Sequence, residues 1–260
     1  MPKHIVPVAN MAGSAGKTTT TVTLAALLAE VGRRVLVVDL DPQSNATEWL
    51  GHDPDEVEVS SATVLLKRAE LGEALVETGM EGLFLLPAAR RRMDAELIQL
   101  QGVPARDMRL KQALRDCPEA IDTVLIDCPG SMGVMTLAAL VPATSVVTVT
   151  WPSGKELKGI PMLEDVIAEL ADAEVNVGLT LGAVVPCMVP TGSSAGSIYQ
   201  DGMSFLTEAY GDRTAPVVRK SVRVPEAQSH GVPLPVYAPR EGVTDDYRAV
   251  LAYLEEKGIL

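Results

Sequence analysis

The sequence predicts an α/β fold in which a mostly parallel central sheet is covered by helices on both faces. Short β-branched or leucine-rich runs alternate with longer stretches of helical spacing, the pattern of repeated βαβ units. The chain has 260 residues, within the range of one α/β domain, so residues 1–260 read as one domain. Its 47% hydrophobic and 22% charged content is that of an ordinary globular protein.

The elements follow in order. His4–Val8 reads as the first strand, and Lys17–Ala29 as a helix that lines up Val22, Leu24, Leu27 and Leu28. Further strands are expected at Arg34–Leu40, Leu83–Pro87, Thr123–Asp127, Ser145–Thr150 and Gly178–Val185. Between the last two, Leu157–Leu170 repeats Ile160, Leu163, Val166 and Ile167 at three- and four-residue intervals, as a packed crossover helix does. Pro190–Gly196 is a loop by composition, too short to link domains, and the chain carries no repeat.

Composition narrows the function. Thirty-four acidic against 22 basic residues give a net charge of −12, so nucleic acid cannot be held by bulk charge and would need a local patch. Two Phe, two Trp and five Tyr leave little material for stacking single-stranded bases. Cys117, Cys128 and Cys187 are odd in number and widely spaced, which speaks against disulfides and zinc and fits a reducing, cytoplasmic setting. No apolar run approaches the ~18 residues of a membrane span, and the N-terminal residues lack the pattern of an export signal.

Chemistry concentrates at strand ends. After the first strand comes Asn10-Met-Ala-Gly-Ser-Ala-Gly-Lys-Thr-Thr19. Small residues Gly13, Ser14, Ala15 and Gly16 let successive backbone N–H groups turn around phosphate oxygens, and the following helix adds its positive end. Lys17 would reach the β- and γ-phosphates, and the Thr18 hydroxyl would serve Mg²⁺. The G-x-x-x-x-G-K-[ST] pattern is incomplete, because Met11 stands at the first glycine. At the end of the next strand, Asp39-Leu-Asp-Pro-Gln43 places two aspartates where ligands bind in open parallel sheets. The strand ending Asp127-Cys-Pro-Gly130 delivers a third carboxylate to the same edge, suited to holding Mg²⁺ through water.

These motifs in this order resemble the ParA/MinD family of deviant Walker ATPases, with their K-G-G-x-G-K-T-T, D-x-D-P-Q and D-x-P signatures. Val76–Ala88, Thr136–Leu140 and Val222–Gly231 look like segments of the DNA-partition branch, so the likeness spans nearly the whole chain. The resemblance implies a three-layer αβα P-loop NTPase fold and an ATP- and Mg²⁺-dependent ATPase. It further implies an ATP-bound homodimer that binds nonspecific DNA, and an adaptor protein that stimulates hydrolysis while a cargo is partitioned or positioned. Lys17, Thr18 and Thr19 fall on the family's phosphate and Mg²⁺ positions, and Asp41 on the aspartate that orients the attacking water. Thr18, Asp41 and Asp127 are then the metal-side residues.

The sequence departs from the family at three places. The signature lysine that reaches across the dimer is matched by Ala12, and the McdA branch resembles this chain in lacking it, so either the sandwich lacks this contact in trans or another basic residue reaches the site. Lys155, in a turn after the fifth major strand, is the better substitute; Lys158 is expected about one turn into the next helix. A DNA-contact arginine is matched by Thr191, while Arg223 with Arg219 and Lys220 forms a small basic cluster able to meet backbone phosphates. The asparagine that relatives often place at the adenine is matched by Pro186, leaving backbone around Pro186 and Arg219 to compensate. His4, His52 and His230 read as surface or capping residues and Cys128 as a small buried one.

Four other functions compete. A MinD-like membrane cycle would need a basic amphipathic C-terminal helix, and Tyr247–Leu260 carries adjacent glutamates instead. A metal-cluster scaffold lacks paired cysteines, and an ATP-dependent ligase lacks a recognisable substrate pocket. Ala12 also leaves open an ATP-binding regulator with little turnover.

Overall fold

The computed structural model describes residues 1–11, 16–153, 156–191 and 196–260. Ala12, Gly13, Ser14, Ala15 and Lys155 lie outside the described residues. The strands are β1 (His4–Ala9), β2 (Val35–Asp39), β3 (Val76–Glu77), β4 (Leu83–Leu86), β5 (Thr123–Asp127), β6 (Val146–Thr150) and β7 (Leu181–Pro186). They form one sheet in the order β3-β4-β2-β5-β1-β6-β7, in which only the pairing of β3 with β4 is antiparallel.

The α-helices among the described residues are α1 (Lys17–Glu30), α2 (Asn45–Trp49), α3 (Ser61–Leu65), α4 (Leu71–Ala74), α5 (Arg90–Gln101), α6 (Arg109–Ala113), α7 (Val134–Leu140), α8 (Gly159–Asp172), α9 (Ser197–Tyr210), α10 (Arg223–Ser229), α11 (Leu234–Tyr237) and α12 (Gly242–Glu256).

Each central strand is buried on both faces, because consecutive side chains enter different cores. Ile5, Leu36, Val38, Val124 and Ile126 face one core with residues of α3, α5, α6, α7 and α8. Val6, Val8, Val35, Val37 and Leu125 face the other with α1 and the C-terminal helices. Each such side chain removed from water contributes about 1.5–3 kcal/mol before entropy is counted. The result is the three-layer αβα arrangement expected of a P-loop NTPase.

Two expectations are corrected. β3 is an added strand without a sequence signal, since one half-buried and one exposed residue carry no burial pattern. The seventh strand begins at Leu181, because Leu179 N–H donates to the Asn176 carbonyl in a turn.

The outer edge of β7 is not open. Residues 214–220 run beside it: Ala215 N–H donates to Val184 O, Val218 N–H to Pro186 O, Val189 N–H to Val218 O and Lys220 N–H to Val189 O. At the opposite edge β4 is covered by β3.

Candidate nucleotide site

Parallel register brings the site together. Asp39 pairs with Asp127 across β2 and β5, so both carboxylates end their strands at one edge, where the loop after β1 also emerges. That loop enters α1 at Gly16, which sits at φ 92°, a left-handed conformation that costs an L-residue about 1–2 kcal/mol. A side chain there would also touch the Cβ of Cys187 at 3.5 Å.

Helix α1 opens with Lys17 and four consecutive threonines, poor helix formers whose hydroxyls must find partners when buried. Thr18 Oγ1 donates to Asp127 Oδ2 at 2.7 Å. Thr20 Oγ1 lies 3.2 Å from the Tyr247 hydroxyl and 3.8 Å from Cys187 Sγ, and Thr21 Oγ1 donates to Lys17 O at 3.0 Å. Sequence spacing alone did not signal Tyr247 or Cys187, which come from distant segments.

The two aspartates of Asp39-Leu-Asp41 divide their work. The expectation that both face the crevice is corrected: Asp39 is fully buried and holds Thr47, accepting from its N–H at 2.8 Å and its hydroxyl at 2.7 Å. Its other oxygen accepts from Asp41 N–H at 3.1 Å. Burial raises the Asp39 carboxyl to about 6, against the hydrogen bonds from Thr47 and Asp41. Asp41, beyond the strand end, reaches the cleft, and its Oδ1 accepts from Gln43 N–H at 2.9 Å.

Asp127 is pushed well above the usual carboxylate range by burial and by Asp39 alongside; the Thr18 hydrogen bond and Lys17 oppose this. Its Oδ1 is buried and has no hydrogen-bond partner among the described residues. An orphaned buried acceptor beside a hydroxyl and a second carboxylate fits a hard, oxygen-seeking cation. Among the described residues no group of three His, Cys, Asp or Glu could hold an ion unaided. That favours Mg²⁺, which retains water and shares its coordination with phosphates.

Lys17, Thr18, Asp41, Gln43 and Gly130 line one cleft of about 420 Å³. A second, of about 520 Å³, is walled by Cys187, Met188, Val218, Arg219, Val224 and Tyr247. Gly16, Thr19 and Met188 line both, so the two are halves of one groove, polar at one end and apolar at the other. Pro186 does not line it: the residue is buried at the end of β7 and its carbonyl is taken by Val218 N–H. Thr191 lines the apolar half.

The basic residues beyond this half are tied down. Arg219 forks onto Asp246 at 2.6 and 2.7 Å, and Gly242 leaves the room for it, since a Cβ there would lie 2.5 Å from the guanidinium. Arg223 pairs with Glu226 at 2.7 Å and Glu241 at 3.3 Å. Lys220 is exposed and makes no ion pair among the described residues. Lys158 is exposed at the N-cap of α8, so it precedes the helix rather than lying a turn inside it.

The histidines cap backbone: His4 Nδ1 meets Ile259 O, His52 Nε2 meets Glu77 O and His230 Nδ1 meets Glu226 O. Cys128 is fully buried, and burial raises its thiol far above the ordinary value.

A glycine-entered helix bearing Lys17 and Thr18 beside strand-end aspartates, within this sheet order, defines the class as a P-loop NTPase. A family model described as an AAA domain matches residues 3–181. The chain is 34% identical over 245 residues to the sporulation initiation inhibitor protein Soj of Bacillus subtilis, covering 94% of each chain. It belongs to the ParA/MinD family of P-loop ATPases. A structure described as cobyrinic acid a,c-diamide synthase of Mycobacterium smegmatis, with ATP analogue and magnesium, is 31% identical, with TM-score 0.82 over 98% of this chain and 95% of that one. Apo McdA of Cyanothece has TM-score 0.87 at 22% identity, covering 96% of this chain and 99% of that one, a likeness of fold.

Proposed function

We propose that residues 1–260 act as one ATPase domain of the partition or positioning type. ATP and Mg²⁺ occupy the groove, a nucleotide-gated homodimer forms, and the dimer binds nonspecific DNA while an adaptor stimulates hydrolysis. The observation that carries this is the meeting of Lys17, Thr18 and Asp41 in one cleft, with Asp127 bonded to Thr18.

The residues divide the work as follows. Loop N–H groups from Gly13, Ser14, Ala15 and Gly16, with Lys17, hold the phosphates, and the apolar half takes the base against Met188, Val218 and Arg219. Thr18 and Asp127 hold Mg²⁺ on the metal side, with Asp41 facing them. The metal supplies positive charge to the phosphate oxygens as negative charge develops. Asp41 orients the attacking water in line with the leaving group. Lys155 supplies the cation that Ala12 lacks.

The basic surface at Lys220 and Arg223 supports a modest DNA contact. Carboxylates already hold Arg219 and Arg223, so binding should be weak, with a salt dependence set by the few phosphates contacted. A membrane cycle is disfavoured, because Tyr247, Val250, Leu251 and Leu254 of α12 are buried in the core with α1. Among the described residues no helix is long and apolar enough to cross a membrane.

The ligase alternative rests on the shared P-loop fold, and the 31% identity to the cobyrinic acid a,c-diamide synthase structure is the observation on its side. The apolar half of the groove has walls suited to a base, and no second substrate need be invoked.

Sedimentation with ADP, ATP and a slowly hydrolysed analogue tests the switch. A dimer only with triphosphate is expected; a constant monomer in all three would overturn it.

A further inference from the structure

We propose that Arg90 is a positioning residue for Asp41, acting through the backbone of Gln43. The inference rests on the reading of Asp41 given above and adds a residue that no motif marks.

The segment after β2 does not hold itself. It turns on a hydrogen bond from Ser44 N–H to Asp41 O at 2.8 Å, and Ser44 adopts φ 54°, a left-handed conformation unfavourable for serine. Such a turn persists only when its surroundings fix it from outside. From the interior, Asp39 holds both Asp41 N–H and Thr47. On the solvent side, Arg90 donates from Nε and Nη2 to the Gln43 carbonyl, both at 3.3 Å. Nη2 also meets Glu48 Oε2 at 2.5 Å.

Arg90 is itself anchored: it opens α5, and its N–H donates to Pro54 O at 3.1 Å. Gln43 N–H donates to the Asp41 carboxylate, so the guanidinium's grip and that carboxylate's flank the Cα of one residue. Arg90 is not among the residues lining the phosphate cleft. It reaches the cleft only through Gln43, so its effect falls on the position of the Asp41–Gln43 segment and not on a direct contact with the phosphates. The planar fork matters, because a lysine ammonium is a point charge and cannot present two N–H groups in a fixed plane to one carbonyl.

The test is steady-state and single-turnover ATP hydrolysis of Arg90→Ala, Arg90→Lys and Glu48→Ala, with Asp41→Ala in parallel. Arg90→Ala and Arg90→Lys should lower kcat by roughly tenfold or more, since small displacements of a positioned group are costly. Glu48→Ala should give a smaller fall in the same direction. KM for ATP, calorimetric affinity for a non-hydrolysed analogue and analogue-induced dimerisation should stay at the parent values. Normal kcat in the Arg90 variants, rescue by lysine, or a parallel loss of ATP affinity would overturn the inference. If Arg90→Ala fails to fold, Arg90→Lys and Glu48→Ala carry the same test. Asp41→Ala with normal turnover would sink the underlying role of Asp41 instead, whereas an inactive Asp41→Ala beside fully active Arg90 variants refutes only Arg90.

Discussion

Thr18 Oγ1 donates to Asp127 Oδ2 across 2.7 Å, joining the first turn of α1 to the tip of β5, two elements 109 residues apart. Both residues stand on the metal side of the proposed site. Thr18→Val or Asp127→Asn should leave ATP binding without Mg²⁺ near the parent value and remove the gain that Mg²⁺ brings. The expected loss in Mg²⁺-supported affinity is about tenfold or more. Calorimetry with and without EDTA measures it, and an undiminished Mg²⁺ effect would remove both residues from the metal side.

Asp41 reaches the cleft without being needed to close it. Asp41→Ala should bind ATP with parent affinity and hydrolyse it about a hundredfold or more slowly. Phosphate release against nucleotide titration separates the two quantities.

At Gly16 a methyl group meets both an unfavourable φ of 92° and the Cβ of Cys187 at 3.5 Å. Gly16→Ala should cost about 1–2 kcal/mol of stability from backbone strain, with weaker nucleotide binding because the helix entry shifts. Denaturant unfolding reads the first, and ATP titration the second.

His4 gives a pH signature away from the site. Burial, with Arg33 and Lys3 nearby, lowers its pKa from 6.5, while the Ile259 carbonyl and Asp122 oppose the shift. The unfolded chain then binds more protons than the folded one below about pH 6.5, so this contribution is complete above that pH and is lost as pH falls through the lowered folded value. His4→Gln should flatten that part of the stability profile, measured by urea unfolding across pH 4.5–7.5 at constant ionic strength.

Much of this was legible because the informative segments are continuous in sequence. β1, β2, β5 and β6 are buried on both faces, and their apolar runs announce it. Gly16 to Thr19 and the Asp39–Gln43 motif declare phosphate and acid chemistry locally. The apolar half of the groove was not legible, since it is assembled from Met188, Val218 and Tyr247, which no spacing connects. The separate fates of Asp39 and Asp41 were hidden too: β2 ends at Asp39, so strand alternation does not govern Asp41. Nor could composition show that Arg219 and Arg223 are held by Asp246, Glu226 and Glu241.

That last point bears on the proposed DNA contact. Lys220→Ala should reduce the slope of log affinity against log salt by about 0.9. Arg219→Ala should instead weaken ATP binding, because its guanidinium walls the apolar half of the groove and is already occupied by Asp246. Filter binding across a salt series and ATP titration distinguish the two.

The segment 214–220 along β7 and the short β3 along β4 have a consequence for assembly. Over the residues they pair with, these segments shield β7 and β4 from a strand of another molecule. In the proposed dimer, contacts between copies would then rest on side chains and shape rather than on sheet extension.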